Sequence, residues 1–212
     1  MKVQKLGHCC MIIEVNGKRI MTDPGSFTTK QNDEMDIDII LFTHEHGDHL
    51  HIESLKKVLQ NNPQAKIITN TSVGKLLSAE QIAYEILEHG DSRTEEGIFF
   101  EAFGEIHEEV FEEFGRVQNT GYFINNKLFY PGDALTNPDK FVEVLALPVV
   151  GPWLRVRDII PYVRELKPTI TIPVHDGLLS PHGLEVYHRV IPRILGNETK
   201  FVPMNEGSVQ EF

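Results

Sequence analysis

The chain holds only two cysteines in 212 residues, and they are adjacent. Neighbouring strand positions point to opposite faces, so Cys9 and Cys10 are poorly placed to form a disulfide, and the chain reads as one from a reducing compartment. Long apolar runs are missing as well. No stretch reaches the ~18 residues of a membrane span, and no charged segment followed by an apolar one suggests a secretory signal. Basic residues are in deficit, with 20 Lys and Arg against 31 Asp and Glu, giving a formal net charge of −11. This balance opposes general affinity for nucleic acid or an anionic membrane. A small anionic substrate stays compatible with it, because a bound metal supplies positive charge locally. Fixed-period repeats, low-complexity tracts and linkers are absent too. The expectation is a cytoplasmic, acidic protein with one domain over 1–212 and one buried core, its oligomeric state open.

The apolar pattern begins with strands. Residues 3–6, 10–15 and 19–22 alternate or run apolar, and Asn16-Gly17 between the last two is a hairpin signal. The run 37–43 is almost wholly apolar, as in a strand covered on both faces. Ile52, Leu55, Val58 and Leu59 then recur at helical spacing, and Asn61-Asn62-Pro63 ends the helix. A strand over 66–69 leads to a helix capped by Thr71 or Ser72 and running to about 77. Strands are expected over 98–103, 121–124, 127–130, 144–147 and 169–173, with helices over 157–166 and 185–194. Each half thus starts with hairpins and then alternates strand and helix. That order predicts an α/β fold with two mixed sheets face to face and helices outside.

The chemistry concentrates in His44-Glu45-His46-Gly47-Asp48-His49, directly after the buried strand and at the start of a helix. Imidazole nitrogen and carboxylate oxygen are the usual ligands of zinc and similar divalent ions, and the helix N-terminus favours the charge of Asp48. Three histidines in six positions, from ten in the whole chain, are hard to assign to chance. A histidine-rich surface turn is the plain alternative. His51, two places on, faces elsewhere and reads as solvated.

This motif resembles that of the metallo-β-lactamase superfamily, His-x-His-x-Asp-His. Other positions match the family in order: Asp23-Pro24 after an early strand, His107 after a glycine at a strand end, Asp133 in Tyr130-Pro131-Gly132-Asp133, and His175 in Ile172-Pro173-Val174-His175. The resemblance spans nearly the whole chain and implies a four-layer αβ/βα sandwich. It implies that His44, His46 and His107 hold one metal, that Asp48, His49 and His175 hold a second, and that Asp133 bridges them. Asp48 and Asp133 are then the candidate catalytic carboxylates. Gly7-His8, the segment 147–152 and Pro173-Val174-His175 are most similar to the subgroup containing ascorbate-6-phosphate lactonase.

Two divalent ions roughly 3.5–4 Å apart share a water, lower its pKa toward neutrality and yield a hydroxide nucleophile. The implied cofactors are two divalent cations, zinc before manganese and manganese before iron. The expected activity is hydrolysis of an ester, lactone or phosphodiester in a small substrate, anionic ones included. Di-iron relatives that reduce oxygen or nitric oxide carry glutamate where this chain has His46, which tilts the expectation to hydrolysis. Some relatives with histidine there bind one iron and oxidise persulfides, so an iron oxidoreductase remains an alternative, as does a nuclease. A non-catalytic zinc module needs only four ligands, and seven are available.

Asp23 is expected to accept a hydrogen bond from a ligand histidine and fix its tautomer, with a simple Asp-Pro turn as the alternative. His8 either supports the site from the first strand or ties strands together in the core. Arg155, in the loop with Trp153 and Arg157, offers a planar fork for an anion, and His182 could reach substrate or donate a proton to a leaving group. His89 and His188 read as surface residues. Of Cys9 and Cys10, one is expected buried and one facing the site. The acidic positions Glu105, Glu108, Glu109, Glu112 and Glu113 read as a solvated helix face.

Overall fold

A computed structural model describes residues 1–212. It opens with strands β1 (Lys2–Gly7), β2 (Cys10–Val15), β3 (Lys18–Thr22) and β4 (Ile39–Leu41). Helix α1 (Ile52–Asn61), β5 (Lys66–Thr69), α2 (Thr71–Ala79) and β6 (Glu85–Ile86) complete the first half. The second half runs β7 (Ser92–Glu95), β8 (Ile98–Phe103), β9 (Gly121–Ile124), β10 (Leu128–Tyr130), β11 (Val144–Pro148), α3 (Val156–Leu166), β12 (Ile170–Val174), α4 (Pro181–Leu195), β13 (Lys200–Phe201) and β14 (Val209–Glu211). Two mixed seven-stranded sheets result, ordered β14-β1-β2-β3-β4-β5-β6 and β13-β12-β11-β10-β9-β8-β7.

Side-chain alternation builds the layers. In and after β4, Ile39 and Leu41 join the apolar cluster between the sheets, while Ile40 and Phe42 join the one beneath α1 and α2. In β11, Val144 and Ala146 face the other sheet, whereas Leu145 and Leu147 pack with residues of α3 and α4. Each such strand is apolar on both sides because each side is covered, and each fully buried Ile or Leu contributes about 1.5–3 kcal/mol. Three apolar clusters separate four layers, the αβ/βα sandwich. The hairpin joining β2 and β3 turns on Asn16 and Gly17, both at positive φ (53° and 75°), as a type I′ turn requires.

Several local expectations change. β4 keeps only three residues of the apolar run. Asn70, not Thr71 or Ser72, caps α2 by accepting from the Val73 N–H. Helix α4 begins at Pro181, because Ser180 caps it and proline suits a first turn that needs no N–H donor. The acidic run is not a helix face. It forms an irregular segment with one short 3-10 turn over Glu112–Phe114. His51 precedes α1 rather than lying inside it, and its Nδ1 meets the Ser54 hydroxyl at 2.9 Å. His188 is half-buried against Phe201, not a free surface residue. Both cysteines are buried, Cys9 between the sheets and Cys10 beneath the α1–α2 layer. No helix is long and apolar enough to cross a membrane.

Candidate metal centre

Six strands deliver their chemistry to one edge of the sandwich. His8 follows β1, Asp23 follows β3, the segment 44–49 follows β4, His107 follows β8, Asp133 follows β10 and His175 follows β12. Ligand sites of open α/β sheets favour such carboxyl ends, where loops diverge from a rigid frame. The backbone at Gly25 presses on the motif turn. Ser26 N–H donates to the Gly47 carbonyl at 2.9 Å, and a Cβ on Gly25 would fall 1.8 Å from the Asp48 carbonyl oxygen. Only glycine fits there.

The structure brings together all seven residues that the resemblance implied. His44, His46, His107 and Asp133 each place a donor atom within 4.8 Å of the others'. Asp48, His49 and His175 do the same, joined by His8. Asp133 lies between the groups: its carboxylate is 2.9 Å from His175 Nε2, 3.2 Å from His49 Nε2, 3.3 Å from His107 Nε2 and 3.8 Å from His44 Nε2.

Hydrogen bonds on the far side of each ring decide which nitrogen faces the centre. His49 Nδ1–H donates to Asp23 at 2.8 Å, His107 Nδ1–H to the Glu108 carbonyl at 2.5 Å, and His175 Nδ1–H to the Val150 carbonyl at 2.5 Å. The Thr43 hydroxyl donates to Asp23 at 2.6 Å and so accepts from His44 Nδ1–H at 3.0 Å. In the neutral form of each of these four rings Nε2 is left with a lone pair aimed inward. His46 Nδ1 lies 3.1 Å from His44 Nε2, two nitrogens facing one point. His8 is the reverse case. Its Nδ1 accepts from the Gly177 N–H at 3.1 Å, so a neutral His8 carries its proton on Nε2 and donates it to Asp48 at 3.1 Å.

These donors fit divalent cations. His49 Nε2, His107 Nε2 and Asp133 Oδ1 are buried with no hydrogen-bond partner, and each such orphan costs about 1–3 kcal/mol. The two nitrogens flank the Asp133 carboxylate, His49 Nε2 at 3.2 Å and His107 Nε2 at 3.3 Å, and cations between these groups would satisfy all three orphans.

The electrostatics agree. Burial drives the His44 imidazole well below its ordinary range, with His49 adding to the effect. Burial opposes charge on Asp133 and on His49, yet their mutual attraction prevails, holding the carboxyl well below and the imidazole well above its usual value. One cause explains both: a buried carboxylate draws positive charge to itself, whether a proton on His49 or a cation. Asp48 is held low too, its burial outweighed by the His8 hydrogen bond and by His49 and His175.

Asp23 accepts from His49 Nδ1, from the Thr43 N–H at 2.8 Å, and from the Thr43 and Tyr130 hydroxyls. Arg155 and His182 are not among the residues lining the cavity over the centre. Arg155 precedes α3, exposed and paired with Asp158 at 3.1 Å, and His182 is exposed in the first turn of α4. A cavity of about 360 Å³ opens over the centre, walled by Phe27, Val110, Pro152, Trp153 and Leu178 beside His46, Asp48, His107, Asp133 and His175. Trp153 Nε1–H donates to Asp133 at 3.1 Å. Sequence reasoning passed over this tryptophan in favour of the arginines beside it, although the only tryptophan of the chain, following Gly151-Pro152, was a usable signal.

The profile of the family described as Beta-lactamase superfamily domain matches residues 2–175. The chain is 26% identical to Protein Rv0786c of Mycobacterium tuberculosis over 208 residues, covering 96% of this chain and 97% of that protein. It is 24% identical to a UPF0173 metal-dependent hydrolase of Pyrococcus abyssi over 230 residues, covering 100% and 99%. Among solved structures, Igni18, a metallo hydrolase from Ignicoccus hospitalis, superposes with a TM-score of 0.77 at 18% identity, covering 100% of this chain and 98% of that one. With its two mixed sheets between helices and its profile match over residues 2–175, the chain belongs to the metallo-β-lactamase superfamily.

Proposed function

We propose that this protein is a metal-dependent hydrolase with a dinuclear centre, acting on an ester, lactone or phosphodiester bond. The carrying observation is the convergence of four histidine Nε2 lone pairs on the buried carboxylate of Asp133. His44, His46 and His107 would hold one cation, Asp48, His49 and His175 the other, and Asp133 both. Cations held so would lower the pKa of water toward neutrality and polarise the oxygen of the bond under attack. The chain's own part is to fix the tautomers of His44, His49, His107 and His175 from behind, to keep the carboxylates ionised, and to admit substrate through the cavity over the centre. The relatives named as metal-dependent or metallo hydrolases support this reading. Zinc is the favoured ion and manganese the second.

The test is elemental analysis of protein purified without added metal, followed by assays with lactone, phosphodiester and thioester substrates. About two zinc or manganese ions per chain are expected, with activity lost in Asp133→Ala. Stoichiometric iron would favour an oxidoreductase of the same fold, and full activity in metal-stripped Asp133→Ala would refute the proposal.

A further inference from the structure

The cavity wall says what kind of substrate the centre takes. Twelve residues line it, and neither lysine nor arginine is among them. The nearest arginines along the chain from Trp153, Arg155 and Arg157, are not among the lining residues; both are exposed and lie beside Asp158, at 3.1 and 3.6 Å. The segment that contributes Val110 carries exposed Glu105, Glu109, Glu112 and Glu113, which repel a second anion. What the wall offers instead is apolar. Phe27, Val110 and Leu178 stay 47%, 37% and 49% exposed around the opening, an arrangement that gains free energy only when something apolar covers it. Trp153 forms the inner wall, its ring 5.6 Å from His107 and 5.7 Å from His175. The Phe27 ring leans on His8 at 4.8 Å, which fixes it at the rim.

We propose that the substrate carries an uncharged apolar group beyond its reacting bond, such as an acyl chain or aryl ring, and no second anion. This rests on the hydrolytic reading for the identity of the reacting bond, and on the wall alone for the rest of the molecule. It separates this chain from hydrolases of sugar phosphates, whose remote phosphate needs a cationic side chain in the wall.

Trp153, as the only tryptophan, reports on occupancy by its own emission. The zinc-loaded protein is titrated with acetate, hexanoate and adipate, the last being hexanoate with a second carboxylate at its far end. Each buried methylene strengthens binding about fourfold, so hexanoate is expected to bind at least about tenfold more tightly than acetate in this open cavity. Adipate is expected to bind at least about tenfold more weakly than hexanoate. The double variant Phe27→Ser/Leu178→Ser alters two half-exposed side chains and is expected to flatten the dependence on chain length. Equal affinity for acetate and hexanoate, or adipate as tight as hexanoate, would overturn the proposal. If the binding pattern holds but no ester, lactone, phosphodiester or thioester is hydrolysed, the apolar wall stands and the hydrolytic reading falls.

Discussion

The backbone N–H of Gly177 donates to Nδ1 of His8 at 3.1 Å, whereas His44, His49, His107 and His175 each donate from the same ring atom. The reversed bond keeps the His8 proton on Nε2, pointing at Asp48. His8 in this tautomer therefore holds the carboxylate of Asp48, which is proposed to bind the second cation. Groups behind metal ligands typically change affinity 10–100-fold when removed. His8→Ala is expected to weaken binding of the second cation by about that factor and leave the first unchanged, while His8→Gln, which keeps an N–H near the same place, retains most of the affinity. Competition with a chromogenic chelator measures both steps. Outright loss of one equivalent in His8→Ala would mean that His8 is itself a ligand.

Gly25→Ala tests the frame of the motif without touching a ligand. Its Cβ would overlap the Asp48 carbonyl oxygen and approach His49 N to 2.6 Å. The turn must move away, and displacement of this size near a site costs on the order of 100-fold in activity. Ion content below two per chain and a lowered melting temperature are expected. An unaltered ion content and activity would show that the turn yields at no cost.

Removing metal should destabilise the fold measurably. An ion present at 100 times its dissociation constant stabilises by about 2.7 kcal/mol, and a domain of this size shifts by roughly 2–4 °C per kcal/mol. A chelator is therefore expected to lower the melting temperature by roughly 5–10 °C, restored by zinc. Scanning calorimetry with and without chelator checks it, and identical transitions would mean that no ion is bound.

Burial pushes the Cys9 thiol up from 9.0 to about 11, and Cys10 well above its ordinary value. Thiolate is the reactive form, so neither residue should react with a disulfide reagent at neutral pH in the native state, and both should after denaturation. The linkage has a definite sign. The folded state keeps a proton that the unfolded state releases, so the Cys9 contribution is complete below pH 9.0 and is lost as pH rises toward about 11. Urea titrations across that range should show falling stability, and a Cys9→Ser variant a shallower fall.

Much of this was written locally. Asn16-Gly17 turns the first hairpin because both positions need positive φ, and the two-sided apolar strands around 39–42 and 144–147 demanded a layer on each face. The cluster His44, His46, Asp48 and His49 was legible because it lies within six residues, whereas His107, Asp133 and His175 were implied only by the family resemblance. Other features had no local signature. Which ring nitrogen of His8 carries the proton depends on Gly177, 169 residues away. The donors around Asp23 come from Thr43, His49 and Tyr130, which sequence order keeps apart. Arg155 looked like an anion contact until Asp158 claimed it, and Phe27, Val110, Trp153 and Leu178 became one wall only through the loops that bring them together. The sequence by itself determined the layers and the histidine-rich turn at 44–49, since periodicity and residue clustering act on neighbours along the chain. Tertiary structure alone decided tautomers, orphaned lone pairs and the charge of the cavity wall, since these depend on groups that meet only when the sheets are packed.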